Sequence, residues 1–474
     1  METYPLYLNG AWEPSAPALP VVNPATGEPF AAISTVARAR VAQALAEAQT
    51  AFLAWRHQTG KARGELLERV ALELERRREE VARLITLENG KPLSQSLGEV
   101  AMSVDHLRWF AAEARRAYGR VIPHQIEGKR HLVLKSPLGV VGAISPWNFP
   151  LVLAVRKVAP ALAAGCTVLL KPARQTPVCA VALAQCFEAA QAPRGVFQLV
   201  VGSATEIGRE LLENPLCRKV TFTGSTEVGR LLIQGAAAQV KPLSLELGGL
   251  APVLVFSDAD LDRAVEGAML AKFRNTGQSC IAANRLYVQR PVYAAFLERF
   301  LARTKALKVG DGLEPGIDIG PLVDAAAVQK AAAHVADAVR RGARVLCGGE
   351  PLKRKGFFFE PTVLADVPPA ALCLAEETFA PVAAVCPFET EAEALALANG
   401  SPYGLSAYAF TRDLGRAFRV MEGLEAGMIG LNDGVPTATQ APFGGVKQSG
   451  WGRELGTEGL EAFLETKHVS LVIN

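Results

Sequence analysis

Residues 139–171 read GVVGAISPWNFPLVLAVRKVAPALAAGCTVLLK. GVVGAIS (139–145) has the continuous small and apolar character of a strand buried on both faces. SPWNFP (145–150) interrupts it. LVLAVRKVAPALAAG (151–165) predicts a helix that Gly165 ends, and TVLLK (167–171) predicts the next strand. The cycle continues downstream. Helices predicted at 177–190, 204–212 and 226–238 alternate with strands GVFQLVV (195–201), KVTFTG (219–224) and PLSLELGG (242–249). Such alternation predicts an α/β fold with a parallel sheet covered by helices on both faces. Ligands in that architecture bind beyond the carboxyl ends of the strands. The turns at 145–150, 171–176 and 223–226 are expected there.

The second half repeats the theme. Strands are predicted near 252–256, 285–290, 343–347, 382–388 and 406–410, with helices near 260–272, 292–306 and 324–341. Upstream, Asn9-Gly10 and Thr26-Gly27 punctuate short strands within residues 1–35. Helices follow from about Val36 to Arg56, as one long element from Ala62 to Leu87 that stops at Asn89-Gly90, and over roughly 98–117. Residues 119–136 alternate loosely about Glu127-Gly128 and predict a hairpin leaving the main body. A lone hairpin is marginally stable, and the apolar C-terminal strand HVSLVIN (468–474) offers an edge that favours pairing. Both are expected to pack on another subunit.

Composition narrows the class. A chain of 474 residues with 50% hydrophobic and 20% charged residues is globular, with material for two or three domains. A net charge of +3 is too small to imply nucleic acid or an anionic membrane as partner. The six histidines are scattered without H-E-x-x-H, so no metal site is expected. The eight cysteines lack C-x-x-C spacing, which points to free thiols in a reducing compartment. No signal-peptide pattern or transmembrane-length apolar run is visible, so a cytoplasmic location is expected.

The chemistry-bearing residues cluster in loops. In FRNTGQSCIAAN (273–284), Cys280 follows Gly277, Gln278 and Ser279, where a loop would expose a nucleophile. Arg274 lies six residues upstream, and a nearby positive charge would favour the thiolate. In LELGG (245–249), Glu246 ends an apolar strand, where a raised pKa suits general-base work. In SPWNFP, Asn148 is held at a ligand-facing edge and can donate to an oxyanion. FTGSTEVG (222–229) joins strand to helix and lets a pyrophosphate approach the helix N-terminus. Arg230-Leu231 stands where a P-loop needs Lys-Ser/Thr, so an ATPase is excluded. Lys171-Pro172 is poised for a phosphate or ribose hydroxyl. EETFAPV (376–382) offers Glu377 for a ribose and Phe379 for a nicotinamide. APFGGVKQSGWGRE (441–454) reads as a shaped loop over the site.

Together these motifs resemble the NAD(P)-dependent, non-phosphorylating aldehyde dehydrogenase superfamily. PWNFP, KP-x-x-x-TP, FTGS-x-x-VG, ELGG, GQ-x-C, EE-x-F-x-PV and PFGG-x-K-x-SG occur in the family's order between residues 146 and 450. The resemblance implies two Rossmann-like parallel-sheet domains plus a small oligomerisation hairpin and tail. The dinucleotide-binding domain would comprise 1–118 and 138–247, the catalytic domain 248–446, and the bridging segments 119–137 and 447–474. It implies that Cys280 forms a thiohemiacetal and then a thioester. Asn148 and the Cys280 N–H would hold the oxyanion, Glu246 would activate the hydrolytic water, and Lys157 and Glu454 would relay protons. CoA-acylating relatives typically lack that glutamate, so a free acid product is expected. Ser145, Pro146, Trp147, Lys171, Arg174, Gly224, Ser225, Val228, Glu377 and Phe379 fall at cofactor-binding positions.

Within the superfamily the sequence is most similar to succinate-semialdehyde dehydrogenases. That similarity implies a distal carboxylate bound by Arg156 and Arg274, with a hydroxyl from Thr437 or Thr439. Where many NAD-specific members carry glutamate two residues after Lys-Pro, this chain has Arg174. A cation there can pair with a 2′-phosphate, so NADP use is expected beside NAD. Position 282 is Ala, which rules out the neighbouring-cysteine disulfide of some relatives. Ala380 stands where glycine is usual. Other aldehydes (glutarate semialdehyde, glycolaldehyde or an apolar aldehyde) remain alternatives, with both arginines then serving as structural ion-pair partners. A non-catalytic binding protein on the same fold is the other alternative. A homodimer or homotetramer is expected.

Overall fold

A computed structural model describes residues 2–473. Residues 1 and 474, the outermost of the expected 1–118 and 447–474 segments, lie outside the described residues. Among the described residues the chain builds two large sheets, two three-stranded sheets and two two-stranded ones. The first has the order Phe197–Leu199, Thr167–Lys171, Val140–Ile144, Cys217–Thr223, Leu243–Glu246, Gly450–Trp451. The first five strands are parallel, as their buried apolar sequences dictate. Gly450–Trp451 adds antiparallel, pairing Gly450 with Glu246. Part of the 447–474 segment is therefore built into this sheet.

The second sheet runs Arg344–Cys347, Thr362–Ala365, Val382–Phe388, Ala283–Gln289, Ala251–Val255, Ser406–Phe410, Met428–Leu431. All are parallel except Arg344–Cys347. Separate apolar clusters fill the two faces of this sheet. Sequence reading passed over Thr362–Ala365 and Met428–Leu431. Four-residue strands are too short to show a period. The helices Glu391–Asn399 and Leu414–Gly423 were passed over as well.

The long helix expected from Ala62 to Leu87 is two helices, Gly60–Arg76 and Arg78–Asn89. The break is at Arg77, whose guanidinium reaches the Gln185 side chain at 2.7 Å and Glu80 at 2.6 Å. Gly90 then ends the second helix in left-handed geometry (φ 90°). The expected hairpin is present as Arg120–Ile122 and Lys129–Pro137. Leu464–Val472 pairs along the whole of the longer strand. This small sheet exposes Val121, Leu134, Leu471 and Val472. Among the described residues, no helix is long and apolar enough to cross a membrane.

The two large sheets present opposite edges to one cleft. Pro146, Trp147, Gly224, Ser225 and Gly248 line it from beyond the carboxyl ends of first-sheet strands. Cys280 and Phe379 line it from just before the amino ends of second-sheet strands. The turns at 145–150 and 223–226 thus lie where the fold argument put them, and the second sheet turns its amino edge to meet them.

Candidate active site

Cys280 stands where two cavities meet. A cleft runs between the sheets past Trp147, Asn148, Ser225, Glu377 and Phe379. A much narrower cavity leads from Cys280 past Phe149, Leu153, Arg156, Arg274, Thr437 and Phe443.

The loop before Cys280 is locally unfavourable and tied down on all sides. Helix Leu261–Phe273 ends in a tight turn in which Asn275 and Thr276 take left-handed backbone angles (φ 51° and 58°). Such conformations cost on the order of 1–3 kcal/mol each and persist only where surroundings over-determine them. Here they do. Asn275 Nδ2 donates to Asn148 O at 2.7 Å and to Gln278 O at 3.0 Å. Gln278 Oε1 accepts from Val323 N–H at 2.9 Å. Gly249 is needed because a Cβ there would lie 2.3 Å from the Cys280 carbonyl oxygen. Asn275 and Gln278 were not singled out from the sequence. Their neighbouring glycine and cysteine were the only local signal. Ala380, the departure from the usual glycine, is fully buried in the second-sheet core.

Asn148 and Cys280 are brought together as expected. Asn148 Nδ2 donates to Gln278 O at 3.3 Å, within the nucleophile's own loop. Glu246 is held by strand pairing on both sides, to Thr223 and to Gly450. It is buried, and its Oε2 has no hydrogen-bond partner. Burial, reinforced by Glu454, pushes its carboxyl well above the ordinary range. Glu454 forms a buried ion pair with Lys157, whose Nζ also donates to Thr223 Oγ1 at 2.6 Å. Glu246, Lys157 and Glu454 line neither cavity wall and form a buried group behind it.

Cys280 is half-buried, and Arg156 acts on it as well as the expected Arg274. Burial pushes the Cys280 thiol up to about 12, with Glu377 adding to the rise and Arg156 opposing it. Arg274 sits over the Phe149 ring, its guanidinium carbon 5.2 Å from the ring centre.

Arg156 is buried and Arg274 half-buried, and neither carries an ion pair among the described residues. Arg156 Nε has no hydrogen-bond partner, and the guanidinium lies 4.4 Å from the centre of the Phe443 ring. Arg274 reaches only the Met102 sulfur, at 3.6 Å. The reading of these arginines as structural ion-pair partners is thereby removed. Thr437 lines the cavity with them. Thr439 does not; its hydroxyl is hydrogen-bonded to Asp105, so the expectation for Thr439 is corrected. Backbone geometry two residues apart turns the two hydroxyls to different places.

The larger cleft fits a nicotinamide dinucleotide. Trp147 and Phe379 form an edge-to-face pair, centroids 5.4 Å apart at 82°, offering apolar ring surface. Ser225 caps the helix Thr226–Ala236, whose N-terminal dipole suits phosphate. Burial raises Glu377 to about 7; its Oε1 accepts from Gly249 N–H at 3.3 Å. Of the ten expected cofactor positions, Pro146, Trp147, Gly224, Ser225, Glu377 and Phe379 line this cleft. Ser145 and Lys171 are buried at the adjacent strand ends, with Lys171 lowered to about 8 by burial. Arg174 is exposed beyond them, and Val228 lies one turn into the helix with its N–H on Ser225 Oγ. The sequence reading missed Lys330, which reaches into the cleft and donates to the Glu377 carbonyl at 2.6 Å. It lies mid-helix with no motif around it.

Two parallel-stranded units closing on a cleft, with a thiol where two cavities join, are the architecture of an α/β enzyme working between its sheets. The chain belongs to the aldehyde dehydrogenase family, whose sequence model matches residues 12–469. It is 50% identical over 467 residues to the glutarate-semialdehyde dehydrogenase of Pseudomonas aeruginosa, covering 98% of this chain and 97% of that one. It is 48% identical over 466 residues to the succinate-semialdehyde dehydrogenase [NADP(+)] of Escherichia coli, with 98% and 97% covered. A crystal structure of an E. coli NADP-dependent enzyme superimposes with a TM-score of 0.98 at 47% identity, covering 99% of this chain and 98% of that one.

Proposed function

We propose that the protein oxidises a short aldehyde bearing a distal carboxylate, foremost succinate semialdehyde, to the free acid, with NADP or NAD as hydride acceptor. The observation that carries this reading is the pair of guanidiniums without an anion, Arg156 buried and Arg274 half-buried, in the cavity that ends on Cys280. A buried cation without an anion is costly, and a substrate carboxylate between Arg156 and Arg274 supplies one. Thr437 adds a hydroxyl.

The chemistry follows from the placement of the groups. Cys280 Sγ adds to the aldehyde carbon, and its proton passes to the buried carboxylate group. The oxyanion accepts from Asn148 Nδ2 and the Cys280 N–H. A nicotinamide dinucleotide held by Trp147, Ser225, Glu377 and Phe379 would supply the acceptor for the hydride on the carbon attached to sulfur. The thioester left on Cys280 is attacked by water whose proton goes to Glu246, and Lys157 with Glu454 passes it onward. Release of the acid leaves a thiolate, which takes back the proton that the carboxylate group received from Cys280 and is a thiol again.

Arg174, exposed where a 2′-phosphate would pass, supports NADP use. The exposed apolar residues of the small sheet support a homodimer or homotetramer, and the eight free thiols support a cytoplasmic location. Steady-state reduction of NAD and NADP by succinate semialdehyde, glutarate semialdehyde and an uncharged aldehyde of equal length tests the reading. A high kcat/KM only for the semialdehydes is expected. Equal rates with the uncharged aldehyde would sink the carboxylate site. A monomer by light scattering would sink the assembly.

A further inference from the structure

We propose that Lys91 and Glu99 form a positioning pair that holds the oxyanion donor Asn148 and the first turn of the helix Val152–Ala164 in one register. Neither residue touches the reacting atoms. Both are fully buried and paired, Lys91 Nζ to Glu99 Oε2 at 2.7 Å. The remaining capacity of each is spent on the site. Lys91 Nζ donates to the backbone oxygen of Asn148 at 2.7 Å. Glu99 Oε1 accepts from the N–H groups of Leu151 at 2.9 Å and Val152 at 3.2 Å.

That second pair of bonds matters because this helix has no capping side chain of its own. Its first N–H groups would otherwise be buried without partners. Arg156, in the substrate cavity, and Lys157, on Glu454, both lie on this helix. The ion pair thus ties three things together: the main chain of the oxyanion donor, the start of the helix, and the groups one turn further on. Asn275 reaches the same Asn148 oxygen from the nucleophile loop, so the carbonyl is gripped from two sides. The Lys91 ammonium also lies 3.9 Å from the centre of the Phe149 ring, which lines the substrate cavity. A pair that served stability alone would not need to end on the main chain of the residue whose amide faces the nucleophile.

The inference rests on covalent chemistry at Cys280 and not on the identity of the aldehyde. Its test therefore uses p-nitrophenyl acetate, which acylates a cysteine through an oxyanion without cofactor or aldehyde. Iodoacetamide alkylation of Cys280 serves as the control, since it needs the thiol and no oxyanion donor. The variant Lys91→Met/Glu99→Gln neutralises both members of the pair together and keeps an acceptor for the helix N-terminus. It removes the charged donor to the Asn148 oxygen and leaves the amides of Asn275, at 2.7 Å, and Asn89, at 3.4 Å, on it. Wild-type release of p-nitrophenolate followed by a 10- to 100-fold slower release in the variant is expected, the scale of a misplaced catalytic group. Alkylation should stay within about twofold, and thermal midpoints should be similar. The single variant Lys91→Met should show the same ratio on whatever protein folds. Acylation and alkylation that fall together, or an unchanged acylation rate, would overturn the proposal. A wild-type protein that releases no p-nitrophenolate would overturn the oxyanion site on which it depends.

Discussion

Arg156 stacks on Phe443, guanidinium carbon 4.4 Å from the ring centre, and its Nε donates to nothing. The aromatic face is a weak substitute for an anion. The charge is held on one helix and one loop, ready for a carboxylate. Arg156→Gln and Arg274→Gln should each lower kcat/KM for a semialdehyde by about 10²- to 10³-fold, from loss of ~2–5 kcal/mol of buried charge pairing. An uncharged aldehyde of equal length should change by no more than about threefold. Parallel losses on both substrates would mean that the arginines serve the fold.

The role proposed for Glu246 separates two half-reactions. Glu246→Gln should still form the thioester and lose its hydrolysis. Rapid-mixing experiments should show a burst of reduced cofactor approaching one per site, then turnover slowed by about 10²-fold or more. Cys280→Ser should show neither burst nor turnover while remaining folded. Full activity in that variant would remove the nucleophile assignment.

The pH dependence of turnover carries the sign of the Glu246 shift. Burial and Glu454 raise its pKa, so acid converts it to the neutral carboxyl and removes the base. Hydrolysis should therefore slow as pH falls, about tenfold per unit below the apparent pKa. A flat profile of kcat with the thioester step rate-limiting would contradict the role.

Glu377 predicts a second pH effect, on cofactor. Burial places it at about 7. Below that pH it is neutral, and above it a carboxylate that accepts charge-assisted hydrogen bonds from a ribose diol. The Kd of the oxidised cofactor should fall as pH rises from 6 to 8. Calorimetry on Glu377→Gln should show this dependence flattened.

Arg174→Glu should lower kcat/KM for NADP by about tenfold or more, by opposing a 2′-phosphate with like charge. Activity with NAD should be kept or raised. An unchanged cofactor ratio would leave Arg174 as a solvated side chain.

The sequence determined the chain of strands and helices from 139 to 249. Parallel strands buried on both faces betray themselves in local composition. Cys280, Glu246 and Asn148 were legible because reactive residues sat among glycines and prolines at strand ends. Arg156 and Arg274 were legible only as positions in a resemblance. Tertiary structure decided what depends on distance along the chain. It turned the amino edge of the second sheet toward the carboxyl edge of the first. It chose Thr437 over Thr439 and raised the Cys280 thiol by burial that no neighbouring residue announces. It also joined Lys91 to Asn148 across 57 residues and Asn148 to Asn275 across 127. Those bonds run from side chain to main chain. The acceptor is a carbonyl that every residue carries, so no pattern of residue types marks the partner.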